Sequence, residues 1–142
     1  MRKLDVYEVF DLFNAATGKA AKVKVLLDHD SPALRDVIRG SMDKTIVWLL
    51  PGGNVPYEPS TEESYPASLQ KENRKFTYFV KGGQGDNLKP LKRETIFIGI
   101  LEGVHPRDAK ILVSMINKEV PDKGLTRNVV NEAFPGLLQD KK

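Results

Sequence analysis

The 142 residues carry 22 Lys plus Arg against 19 Asp plus Glu, and the resulting net charge of +3 is mild beside the basic bias of a dedicated nucleic-acid binder. The absence of cysteine excludes disulfides, thiolate zinc sites and cysteine nucleophiles together, and makes a cytoplasmic setting the expectation. Acidic residues interrupt the opening run MRKLDVYEVFDLF, unlike a signal peptide, and no window approaches the ~18 apolar residues of a membrane span. A soluble, intracellular protein is expected, one domain over residues 1–142 with a genuine core.

Val6, Val9, Phe10 and Phe13 share one face of Leu4 to Ala16, with Asp5, Glu8 and Asp11 opposite or near the start, which predicts a first helix ending at Gly18. From Lys19 to His29, Ala20, Val23, Leu26 and Leu27 recur at helical spacing among Lys19, Lys22 and Lys24, a short basic helix. Asp30 or Ser31 can cap a third helix, which starts at Pro32, carries Leu34, Val37, Ile38 and Met42, and runs to about Ser41. The run DKTIVWLL, Asp43 to Leu50, fits a buried strand or a last buried helical turn. With no second strand evident to pair with it, helix or extended backbone is favoured, and Pro51-Gly52-Gly53 ends it.

Residues 51–66 hold Pro51, Pro56, Pro59 and Pro66 with Tyr57 and Tyr65 and show no periodicity, so a long surface loop is expected. Ala67 to Val80 resumes a helical pattern through Leu69, Phe76, Phe79 and Val80, and the glycine-rich stretch Lys81 to Asn87 breaks it. The densest apolar stretch, LKPLKRETIFIGILEGVHPRDAKILVSMINK from Leu88 to Lys118, reads as a helical hairpin. Its first half aligns Leu91, Thr95, Ile98 and Leu101, widened by Phe97, Ile100 and Val104. Its second half opens on His105-Pro106, places Asp108 against the positive helix N-terminus, and shows Ala109, Leu112, Val113 and Ile116 on one face. After a turn at Pro121 and Gly124, Thr126 caps a short helix with Val129, Val130, Ala133 and Phe134; Pro135-Gly136 stops it before a frayed QDKK end. The fold expected is all-α, an irregular bundle of about seven helices with one long Pro-rich surface loop. Its core should draw on Phe10, Phe13, Leu27, Leu34, Val37, Ile38, Phe76, Phe79, Ile98, Leu101, Leu112 and Ile116.

Two histidines and no cysteine disfavour a zinc site. Asp28-His29-Asp30 sets an imidazole between carboxylates, but adjacent helical residues point about 100° apart and cannot converge on one ion unaided. That leaves a helix-end charge cluster, and His105 before Pro106 reads as a cap or a local packing group. Gly82, Gly83 and Gly85 follow a predicted helix, where nucleotide-binding motifs require a strand, so they read as a flexible connector. No nucleophile, base and orienting group fall at a recognisable spacing, and neither an enzyme nor a cofactor is expected.

Three segments qualify as contact surfaces. The loop offers Tyr57 and Tyr65 as rigid amphipathic contacts and Glu58, Glu62 and Glu63 as an acidic stripe for a basic partner, or else Val55 and Tyr57 pin it along the bundle. Lys71, Arg74, Lys75 and Lys81, with Lys89, Lys92 and Arg93 across the glycine turn, would gather at one end if Ala67–Val80 packs antiparallel to the central helix; the alternative is a solvated face. In the tail, Phe134, Leu137 and Leu138 surround a Pro-Gly break, as a docking peptide or as a cover on the bundle.

Through DSPALRDVI, LLPGGNVPYEP, FIGILEGVHPRDAKIL and KGLTRNVVNEAFPGLL, nearly its whole length, the chain resembles a family of small uncharacterised proteins of T4-like tailed phages, notably those of marine cyanobacteria. The resemblance carries no catalytic residues. It implies a setting in the cytoplasm of an infected bacterium and a non-enzymatic accessory role, binding a phage or host macromolecule of the replication or transcription machinery. The alternatives are a virion or assembly component and, less favoured, direct nucleic-acid binding.

Overall fold

A computed structural model describes residues 4–53 and 55–139 and shows seven α-helices: α1 Val6–Ala15, α2 Lys19–Asp28, α3 Pro32–Met42, α4 Leu69–Glu72, α5 Pro90–Gly103, α6 Pro106–Ile116 and α7 Arg127–Ala133. Among the described residues there is no sheet, and the fold is all-α. Apart from α2, which follows Gly18 without a side-chain cap, the helices begin at short polar side chains or prolines. The Glu8 side chain accepts from the Asp5 N–H at 2.9 Å in a capping box on α1. Ser31 Oγ accepts from Leu34 N–H ahead of Pro32, and Thr126 Oγ1 accepts from Val129 N–H at 3.3 Å to start α7.

One apolar cluster runs from Val6 to Leu138. α6 lies at its centre, touching α1, α3 and α5, while α2 packs against α1 and α7. Of the expected core, Leu27 is 51% exposed, because the buried stripe of α2 passes through Val23 and Leu26 instead. On α5 and its C-cap the buried residues are Phe97, Ile100, Leu101 and Val104, spaced i, i+3, i+4, i+7. That stripe leaves Ile98 only half-buried and Leu91, in the first turn, 74% exposed. Val113 is likewise half-buried, and Met115 takes the core position on α6.

The segment expected as a helix from Ala67 to Val80 is different. α4 lasts four residues and passes into a 3-10 helix, Asn73–Tyr78. Aromatic and β-branched residues crowd a helical turn, and tightening lets Phe76 and Phe79 both face the core. The chain then extends, and this supplies the pairing segment that Asp43–Leu50 lacked in the sequence. Leu49 N–H donates to Phe79 O at 2.6 Å and Lys81 N–H to Val47 O at 2.9 Å around a single antiparallel bridge between Trp48 and Val80. Residues 46–49 are therefore extended backbone rather than a helical turn.

The glycine stretch after the bridge is a packed turn and not a loose connector. Gly85 is buried against the Tyr78 backbone, and a Cβ there would coincide with the Tyr78 carbonyl. Gly85→Ala must push two backbones apart, so a loss of about 1–3 kcal/mol is expected in chemical denaturation. A neutral Gly85→Ala variant would show that the turn is free to move.

Candidate functional site

The loop 51–66 lies along the bundle and is tied to it at several points. Val55 and Tyr57 pack against the core, and burial raises the Tyr57 phenol. A small apolar cavity of about 120 Å³ remains between Leu50–Pro56 and α5. Further on, Glu58 N–H donates to the Glu102 carboxylate at 2.8 Å, and the Ser60 hydroxyl to the Glu102 carbonyl. Tyr65 is an anchor and not a free contact: its hydroxyl donates to Asp5 Oδ2 at 3.1 Å and its ring meets His105 edge-on. The charged groups of the loop, Glu58, Glu62 and Glu63, are all exposed.

Beneath the loop, α1 and α6 meet through a polar cluster that sequence reasoning did not assemble. His105 caps α6, its Nδ1 accepting from Arg107 N–H at 3.0 Å, so the ring proton sits on Nε2, 3.9 Å from Glu62 Oε1. The imidazole stacks on Tyr7 with centroids 3.9 Å apart. Asp108, 1% exposed, accepts from Tyr7 N–H at 2.8 Å. Burial drives its carboxyl up to about 7 against that hydrogen bond, with the charges of Asp5 and Glu8 adding to the rise. Arg107 forks onto Asp11 and lies over the Tyr7 ring. Beside the cluster opens a groove of about 930 Å³, walled by α1, α6, loop residues Thr61 and Glu62, and the turn Val120–Asp122. The only signal in the sequence was the HPRD start of α6, because Tyr7 and Asp5 lie about a hundred residues away.

The predicted basic patch divides. α4 and the 3-10 helix lie against α3. Arg74 and Lys81 therefore share a second groove, of about 440 Å³, with Arg39 from α3. Arg93 turns inward and holds carbonyls of Gly85, Leu88 and Leu49, so it braces the glycine turn and leaves the patch. Lys75 pairs with Glu72, while Lys71, Lys89 and Lys92 are exposed and outside the groove lining. Trp48 packs on the core and also lines this groove, with its Nε1 donating to Gly40 O at 3.0 Å.

The tail does not present its apolar groups. Phe134 and Leu138 are buried and Leu137 half-buried, because Arg35 covers the Phe134 ring and Gln139 N–H donates to Asp43 Oδ2 at 2.7 Å. Burial alone would raise the Asp43 carboxyl, but hydrogen bonds from Thr45, Gln139 and Arg39 outweigh it and hold it at about 2. Asp140, Lys141 and Lys142 of the expected frayed end lie outside the described residues. Asp28 and Asp30 go to Lys24 and Arg35 and do not converge with His29. Among the described residues no group of three or more His, Asp or Glu could hold a metal ion, and no helix is long and apolar enough to cross a membrane.

A family model matches residues 9–122, from α1 through the turn after α6, and takes in the loop and every lining residue of the basic groove. The chain belongs to a family of unknown function, DUF6433. No curated protein matches it. The stretch beyond the match contains α7, which covers α2 and closes the core.

Proposed function

We propose that this chain is a non-enzymatic phage accessory protein that binds a phage or host protein through the face made by the loop and the α1–α6 groove. The observation that carries the reading is the pre-set loop. Tyr65, Ser60 and the Glu58 amide are bonded down while the carboxylates of Glu58, Glu62 and Glu63 face solvent, so little conformational freedom is lost when a partner docks. Asp11 and Asp122 join Glu62 in the groove against Arg107 and Lys110, and Asp11 already neutralises Arg107. A basic surface or segment is the complementary partner. The non-enzymatic reading is supported by where the perturbed carboxylates sit: Asp11, Asp30 and Asp43 are held by internal hydrogen bonds, and Asp108 is sealed from solvent. Asp36, in the second groove, accepts from Asn73, with no histidine or serine among the described lining residues. The phage setting rests on the resemblance of the sequence motifs.

Reversing Glu58 and Glu63 to lysine tests the face, because neither carboxylate carries a bond that holds the loop. The expected result is an unchanged melting temperature and loss of the proteins that co-purify with the wild-type chain from infected cells. Identical partners captured by both proteins would end the proposal. Retention of the chain in washed virions, detected by mass spectrometry, would replace it with a structural role.

A further inference from the structure

The second groove has an aromatic floor and a cationic rim. Trp48 and Phe76 meet edge to face with centroids 6.1 Å apart, and the bond from the indole to Gly40 O fixes the ring. Gly40 is what admits it, since a Cβ there would strike the indole and Met115. On the rim stand Arg39, Arg74 and Lys81 against one acid, Asp36. Asp36 accepts from Asn73 Nδ2 at 2.8 Å, and burial raises its carboxyl. Arg39 is shared with the buried Asp43 at 3.4 Å, whereas Arg74 and Lys81 form no ion pair among the described residues.

On the other flank of the same extended segment lies a second hollow, about 470 Å³, lined by Met42, Val47, Ile116, Lys44 and Lys118, whose ammonium holds the carbonyls of Gly40 and Asp43. Ile46 and Trp48 belong to both hollows, so the segment forms a ridge between them. Val47 on this ridge is 46% exposed. The bridge to Val80 is made by Leu49 N–H and Val47 C=O, which directs the amide and carbonyl of Trp48 itself toward the opposite, unbridged edge.

We propose that this ridge and its two hollows form a second docking surface, specific for an extended acidic and apolar segment of a protein partner. Apolar side chains of the segment enter the hollows beside Trp48 and Val47, and its carboxylates meet Arg74, Lys81 and Arg39. Each hollow, at about 440 and 470 Å³, falls in the size range of a ligand pocket, with room for several side chains of the segment. The apolar floors and the unbridged backbone edge of Trp48 select an extended peptide over a nucleic acid, since they suit side chains and a peptide backbone and offer phosphate nothing. The surface shares no lining residue with the acidic loop face, so its fate is independent of the function proposed above.

Trp48 is the only tryptophan in the chain, so its emission reports on this surface directly. The probes are a short peptide alternating glutamate with leucine and phenylalanine, its lysine counterpart, and oligothymidine. The glutamate peptide should give a saturable change in Trp48 emission that weakens with salt. Arg74→Glu with Lys81→Glu should weaken it roughly tenfold while leaving the melting temperature unchanged, since both side chains are exposed. No saturable change, an equal response to the lysine peptide, or tighter binding of oligothymidine would overturn the proposal. So would salt-sensitive self-association of the protein alone, abolished by the same two reversals, which would assign the ridge to a second copy of the chain.

Discussion

Leu112→Ala should cost ~2–5 kcal/mol and lower the melting temperature by roughly 5–15 °C. Leu112 is fully buried on α6, the helix that meets α1, α3 and α5, so shortening it opens a cavity that no single neighbour can close. The comparison inside α2 is sharper still. Leu26 is fully buried and Leu27 half-exposed, so Leu26→Ala should fall in the same destabilising range while Leu27→Ala stays within ~0.5 kcal/mol of wild type. Equal costs at the two positions would mean that the bundle places α2 with a different face inward.

Asp108→Asn should stabilise the protein above neutral pH and destabilise it by up to about 2 kcal/mol below pH 5, where the wild-type carboxyl is already neutral and the added N–H donors go unoffset. The Asp108 carboxyl is raised to about 7, well above the value of about 3.9 in an unfolded chain, so the folded state binds the extra proton between these limits. Its contribution is fully present below about pH 4, declines as pH rises, and is gone above about pH 7. The displacement corresponds to about 4 kcal/mol between the two ends of that window. Asparagine keeps the acceptor for Tyr7 N–H but brings buried N–H donors that cost about 1–3 kcal/mol if unmet, leaving a net gain of about 1–3 kcal/mol at pH 8. Melting curves of both proteins at pH 4.5 and pH 8 check the sign. A variant less stable than wild type at pH 8 would show that the charged carboxylate has a compensating partner inside the cluster.

The helices were legible in the linear chain wherever a cap and an apolar period agreed. Ser31-Pro32, His105-Pro106 and Thr126 start helices in the structure, and Gly18 and Pro135-Gly136 bound them, because capping is satisfied within a few residues of chain. The all-α class follows from the same local evidence. The exact face of α2 and α5 was not legible, since Leu26 and Leu27, or Ile98 and Ile100, are chemically alike and only the neighbouring helix decides which is covered. The conformation of Asp43–Leu50 and the early end of the helix after Ala67 form one tertiary event: each segment becomes extended because the other is there to bond it.

The candidate surfaces divide along the same line. Exposure of Glu58, Glu62 and Glu63 could be read from the loop's composition, whereas Tyr65 was drawn inward by Asp5 and His105, residues far from it in sequence. Likewise the basic residues were visible as a list, but the packing of the 3-10 helix on α3 joined Arg74 and Lys81 to Arg39, and the carbonyls of the glycine turn took Arg93 away. Charge and helical period are properties of neighbouring residues, so the amino-acid sequence alone determines them. Which cation meets which groove, and which carboxyl loses its water, depends on contacts between distant segments, and those exist only once the chain has packed.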